Sequence, residues 1–319
     1  MLSENNTQIP ADLAEKLQQL SLKYAAMGQD MASYLEGLLQ ADYLTYWDYI
    51  HLETLLSLQN PRTAYPDELI FITYHQITEL YFKLVKHEMA QIAGRVPEGP
   101  STGFTEFFTQ RVARINRYFE ILENSFTVMV EGMDKDQFLK FRMALLPSSG
   151  FQSVQFREIE IMATDFALLL DDPQGEVAGA PVSRQYDRIY WKRGATELSS
   201  QQKTLTLRQF EAQYSDRLVR LATDYQTKNL RQAMLMLRQE NVLTDGLMAG
   251  LRAFDQRVNV RWKLMHLRSA VRYLHKSPEA IEATGGTNWQ RYLPPADQRR
   301  VFFPELWADA ELANWGREL

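Results

Sequence analysis

The sequence predicts an all-α protein, a large bundle of long helices with a small excursion around 171–204. Three observations predict it. Apolar residues recur at three- and four-residue spacing over most of the chain. No alternating segment is long enough to make a sheet. The periodic segments are separated by Pro, Gly and Asn rather than by hairpin signals.

The first helix is expected over 11–27, where the chain leaves Pro10 and places Leu13, Leu17 and Leu20 on one face. A second, over 41–59, carries Leu44, Tyr46, Trp47, Tyr49, Ile50 and Leu52 and stops at Asn60-Pro61. Pro66 suits the first turn of a long helix over 66–93. Its main stripe is Ile70, Tyr74, Ile77, Tyr81 and Leu84, flanked by a second stripe of Phe71, His75 and Phe82. Residues 103–131 follow, with Phe107, Val112, Ile115, Tyr118, Phe119 and Leu122 in register. A short helix runs from Asp134 to about 145, and another over 152–170 carries Phe156, Ile159 and Met162. The turn-rich 171-DDPQGEVAGAP-181 then changes the character of the chain, and 186-YDRIYWKRG-194 suggests a short helix. A domain boundary and a surface excursion are equally consistent with this region. Helices return at 207–225, 227–240 and 242–275, before a loop at 276–289 and a short docked helix over 303–315.

Composition narrows the function classes. The 319 residues include no cysteine, which excludes disulfides, thiolate metal sites and a cysteine nucleophile. The formal charge of -5 does not suit a nucleic-acid binder. No apolar run reaches the ~18 residues of a membrane span. The polar start, 1-MLSENNTQIPADLAEKLQQL-20, does not resemble a signal peptide, so the expected setting is cytoplasmic.

The five histidines can be weighed one by one. His75 faces protein, four residues after Phe71. It is either a core imidazole satisfied by a neighbour or one lining an aromatic pocket. His266, four residues after Trp262 in the basic 261-RWKLMHLRSAVRYL-274, is a core or surface residue, or an axial haem ligand with nearby Arg and Lys for the propionates. His51, His87 and His275 lie among polar neighbours and read as solvated. Arg142, four residues after Phe138, is a surface arginine or a fork for a carboxylate. The stretch 148-SSGFQS-153 reads as a turn that caps the next helix. The sequence shows no HExxH, no Glu-x-x-His, no P-loop and no G-x-S-x-G elbow.

Four segments in order resemble the tryptophan 2,3-dioxygenase family: 46-YWDYIHLETLLSLQ-59, 67-DELIFITYHQITELYFKLVKHE-88, 141-FRMALLPSSGFQSVQFREIE-160, and 262-WKLMH-266 with 284-TGG-286. The resemblance runs from about residue 40 to about residue 310. It implies a single all-helical haem domain over 1–319, with the 1–40 arm engaged in oligomer contacts. It implies haem b on His266, with Ser149 and Gly150 beside it, and His75 as the distal histidine. Phe71 and Phe138 become walls of an indole pocket, Arg142 the carboxylate partner and Thr284 the ammonium partner. Tyr46 and Tyr49 reach the pocket of a neighbouring subunit in a homotetramer. The implied reaction adds O2 across C2–C3 of L-tryptophan and yields N-formyl-L-kynurenine. A monooxygenase of the same superfamily acting on a substituted indole, and a haem-binding helical protein without turnover, are the alternatives. Thr287, Asn288 and Trp289 depart from the family's Ser-Gly-rich continuation.

Overall fold

The computed structural model describes residues 9–42, 44–145, 152–173, 175–193, 195, 202–274 and 294–317. Among these residues the chain is helical throughout, and no sheet forms; Leu170 and Ile189 make one isolated antiparallel bridge. The all-α expectation therefore holds. The chain divides into two compact units, 1–58 and 59–319.

In the first unit, α1 (Ala11–Ala26) turns at Gly28, whose positive φ of 68° suits a residue without Cβ, into α2 (Met31–Leu39). Asp30 caps α2 by accepting from the Ala32 and Ser33 amides at 3.2 and 3.0 Å. The helix expected over 41–59 is broken into α3 (Tyr46–Tyr49) and α4 (Leu52–Leu56). The break falls at His51, which sits in the left-handed region with φ 51°. None of these four helices buries a residue.

The second unit holds the core. It begins with α5 (Asp67–Arg95), followed by α6 (Thr102–Ser125), α7 (Thr127–Val130) and α8 (Lys135–Phe141). After α9 (Val154–Ala163) come the short α10 (Val182–Gln185) and α11 (Tyr190–Arg193). The long helices α12 (Leu205–Asp224), α13 (Leu230–Gln239), α14 (Asp245–Gln256) and α15 (Trp262–Leu274) complete the bundle, with α16 (Pro295–Gln298) and α17 (Asp309–Ala313) at the end. Starts are set by side-chain caps: Ser101, Asp134, Ser153, Thr204, Asn229 and Thr244 each accept from an amide of the first turn. The cap expected before α9 is thus Ser153, bonded to the Phe156 amide at 3.3 Å.

Helix α5 lies along α6 and α9, α6 packs on α14, and α15 rests on α6, α7 and α8. Two expectations are corrected here. The main apolar stripe read on α5 is only partly buried: Ile77 and Leu84 are exposed, and the buried face runs Tyr74, Thr78, Phe82, Val85, Met89 and Ile92. The helix expected over 242–275 is interrupted by a π-helical segment, Arg257–Arg261. Each wide turn adds a residue to the repeat, so α15 presents a different face to the core than α14 would have continued.

Candidate functional site

His75 and His266 come from helices far apart in sequence, yet they share one construction. In each, the imidazole follows an aromatic residue by four positions on an unbroken helix. His75 Nδ1 lies 2.7 Å from the Phe71 carbonyl oxygen, and His266 Nδ1 lies 2.8 Å from that of Trp262. A carbonyl can only accept, so Nδ1 carries the proton in both rings. Nε2 is left with its lone pair, directed away from its own helix. The i−4 aromatic also braces the ring. Phe71 stands 4.1 Å from His75 and Trp262 stands 4.7 Å from His266, centroid to centroid.

The two imidazoles are neighbours. Burial is the main cause that pushes His266 down to about 4, and the charge of His75 and then that of Arg157 push the same way. Burial likewise lowers His75, against the opposing pull of the Phe71 carbonyl and of Glu79. Yet His75 retains exposed ring surface and His266 is only half-buried. Both rings thus sit among protein atoms and still keep surface through which a bound group can be met.

Aromatic side chains enclose this space on two sides. One row runs from His75 through Tyr74 (6.3 Å) and Phe126 (5.9 Å) to His266 (4.8 Å). The other runs from Phe71 to Phe138 (6.2 Å) and on to Tyr273 of α15 (4.5 Å). Phe141 closes against both Phe71 and Phe138, at 5.7 and 5.5 Å. Arg142 is buried at the end of α8, directly after Phe141, and burial lowers its pKa from the ordinary guanidinium value.

The arrangement suits a flat, apolar group held by one imidazole and faced by the other. A porphyrin brings four nitrogens of its own and asks the protein for an axial imidazole with a fixed tautomer, which His266 offers. The acceptor on His75 then faces whatever binds on the other side.

Of the site residues expected from sequence, the structure brings together Phe71, His75, Phe138, Arg142 and His266 in the second unit. Tyr46 and Tyr49 lie in the first unit, each 71% exposed. Ser149, Gly150 and Thr284 lie outside the described residues. Sequence reasoning missed Phe126, Phe141 and Tyr273 as walls of the space, because their spacing marks them only as core. A surface groove of about 780 Å³ beside α14, lined by Arg238, Asp245, Arg252 and Trp307 among others, includes none of these residues. Size alone therefore does not mark the chemistry.

A profile of the tryptophan 2,3-dioxygenase family matches residues 36–165. The tryptophan 2,3-dioxygenase of Anaeromyxobacter dehalogenans is 32% identical over 276 residues, covering 83% of this chain and 94% of that protein. The enzyme of the same name from Ruegeria sp. is 40% identical over 120 residues, 38% of this chain and 41% of the relative. That from an Anaeromyxobacter sp. is 41% identical over 121 residues, 37% and 43%. The last two matches thus span under half of the relatives' length, and the first nearly all of it.

Proposed function

The chain belongs to the tryptophan 2,3-dioxygenase family, and from that premise we propose that it is a haem-dependent dioxygenase converting L-tryptophan and O2 to N-formyl-L-kynurenine. The observation that carries the reading is the pair of neighbouring neutral imidazoles, each with Nδ1 tied to a carbonyl, which leaves Nε2 as the atom that can meet a ligand. In this reading His266 would hold haem b through Nε2, together with Ser149 and Gly150. When bound, the ferrous haem supplies O2 activation, and both oxygen atoms go to C2 and C3 of the indole.

The remaining work falls to the chain. His75 Nε2 accepts the indole N–H and fixes the ring's orientation; it is a positioning group rather than an obligatory base. Phe71 and Phe138 hold the indole and exclude water. Arg142 pairs with the α-carboxylate through its planar fork, and Thr284 meets the ammonium.

A homotetramer is part of the proposal. Helix α5 exposes Leu69, Ile77, Leu80 and Leu84 along one side, and the first unit exposes Leu38, Leu39, Tyr46, Trp47 and Tyr49. Apolar faces of this extent are covered when subunits associate, and Tyr46 and Tyr49 would then enter a neighbouring subunit's pocket. The 1–40 arm takes part in these contacts, and the whole chain works as one haem domain. Among the described residues no helix is long and apolar enough to cross a membrane, and a cytoplasmic setting fits.

The test is to load the protein with haem, reduce it without oxygen, add L-tryptophan, admit O2 and weigh the product. Two added oxygen atoms are expected. One added atom would point instead to monooxygenation, and haem binding with surviving tryptophan to a protein without turnover.

A further inference from the structure

Lys263 is a buried cation. It is 7% exposed, and among the described residues its Nζ meets no acceptor. It lies on α15 three residues before His266, so the two side chains leave neighbouring turns of one face. Around it stand the Tyr190 ring, 5.2 Å from Nζ, and the charges of Glu160, Arg300 and Arg157. Arg157 is committed elsewhere: it donates to Glu160 at 2.7 Å and to the Tyr190 hydroxyl at 3.0 Å. The same Arg157 acts on the charge of His266, so this group of side chains adjoins the axial imidazole. Arg300 spends its guanidinium on the carbonyls of Leu168, Leu170 and Gln298.

An ammonium in this setting asks for an anion. Buried charges are ordinarily paired, because removal from water is otherwise uncompensated. Burial accordingly depresses Lys263 to about 7, with Arg300 and Arg157 pushing the same way, against the opposing pull of Glu160 and, more weakly, of Asp255. Among the described residues no group completes its bonding, and a haem held by His266 would supply two carboxylates.

We infer that Lys263 receives a propionate carboxylate of the haem, as a buried donor one helical turn before the axial imidazole whose bonding the cofactor itself completes. The inference rests on the haem reading above and adds a named anchor to it. The anchor acts on retention and potential of the haem and does not touch the reacting atoms.

The test pairs Lys263→Met and Lys263→Arg with two cofactors, haem and haem dimethyl ester, whose propionates are capped. Release is followed by transfer to excess apomyoglobin. With haem, Lys263→Met should release roughly tenfold faster than the parent, and Lys263→Arg should stay near it. With the dimethyl ester the parent and Lys263→Met should release alike, since the bond is absent in both. The ferric/ferrous midpoint potential should fall in Lys263→Met, where the propionate keeps its charge unneutralised. The apoprotein of Lys263→Met should melt no lower than the parent, because an uncompensated charge has gone. Equal effects of the substitution on both cofactors, or none on either, would overturn the inference while leaving the haem reading intact. Should Lys263→Met not fold, Lys263→Gln replaces it in the same comparison. A parent chain that takes up no haem removes both readings together.

Discussion

The role given to His75 can be isolated by taking the hydrogen bond away from each side in turn. Replacing His75 with Phe keeps a flat ring against Phe71, now 4.1 Å from the imidazole, and removes Nε2. The indole N–H is then left without an acceptor among Phe71, Phe138 and Phe141. An unsatisfied donor in such surroundings costs about 1–3 kcal/mol. At about 1.4 kcal/mol per decade, kcat/KM for L-tryptophan should fall roughly 5- to 150-fold. With 1-methyl-L-tryptophan the substrate has no N–H to donate, so the same substitution should change kcat/KM less than about twofold. The comparison is steady-state turnover of both substrates by both proteins, with haem content matched. Equal losses on the two substrates would refute the acceptor role, because the penalty would then not depend on the proton that His75 is said to receive. A parent enzyme unable to oxidise the N-methyl substrate, while still binding it, would instead favour His75 as a base. Burial keeps the His75 pKa below its ordinary value, so the acceptor form should persist through neutral pH.

Arg142→Met should raise KM for L-tryptophan by roughly 10- to 150-fold through loss of a charge-assisted bond of about 1.5–3 kcal/mol, with little change for tryptamine, which lacks the carboxylate; an equal change for both amines would move the carboxylate elsewhere. Leu80→Glu, on the exposed row of α5, should shift the sedimentation coefficient toward smaller assemblies without altering the helical signal of the subunit, since a charge replaces a leucine whose burial is worth about 1.5–3 kcal/mol. Asp255 gives a pH-dependence. It accepts from the amides of Phe302 and Phe303, the Trp307 indole and Asn259, yet burial still pushes it up to about 6 from its ordinary 3.8. The folded state therefore binds this proton more tightly than the unfolded chain, so its contribution is most favourable below about pH 4 and is lost as pH rises through about 6, by roughly 3 kcal/mol. Asp255→Asn should remove that slope, because an amide does not titrate, and the buried Asn259 Oδ1, which has no partner among the described residues, can turn to accept from the new N–H. Urea midpoints of both proteins at pH 5 and pH 7 would show it, and a parallel dependence in the two would contradict the assignment.

The helical frame was legible because most segments carry one dominant apolar face and an explicit start. It was misread where a helix has two apolar faces. On α5 the row of Ile77 and Leu84 is as apolar as the row of Phe82, Val85 and Met89, and only the latter is buried. Periodicity sums over both faces and cannot say which one meets the core and which stays exposed. The π-helical segment before α15 is invisible for a related reason. An extra backbone residue in one turn leaves the composition of the helix unchanged and alters only which side chains share a face afterwards. From sequence, Lys263 is one of several basic residues near His266 offered to the propionates, and nothing in the run sets it apart from its arginines; its burial follows from that altered register and from Tyr190, some seventy residues earlier.

The two histidines show how far a local signal reaches. Phe71 before His75 and Trp262 before His266 stand at i−4, and in the structure each supplies both a ring to brace the imidazole and a carbonyl to hold Nδ1. The same spacing recurs at Trp47 and His51, where it does nothing of the kind. His51 has φ 51°, the helix ends there, and the side chain is exposed. An i−4 carbonyl can meet a side chain only if the helix continues through both residues, with the ring folded back along its axis. The aromatic-x-x-x-His pattern thus becomes a device for fixing a tautomer only inside an uninterrupted helix. That two such devices face one space depends on how α5 and α15 are held by α6, α7 and α8, a property of packing that neither segment carries alone.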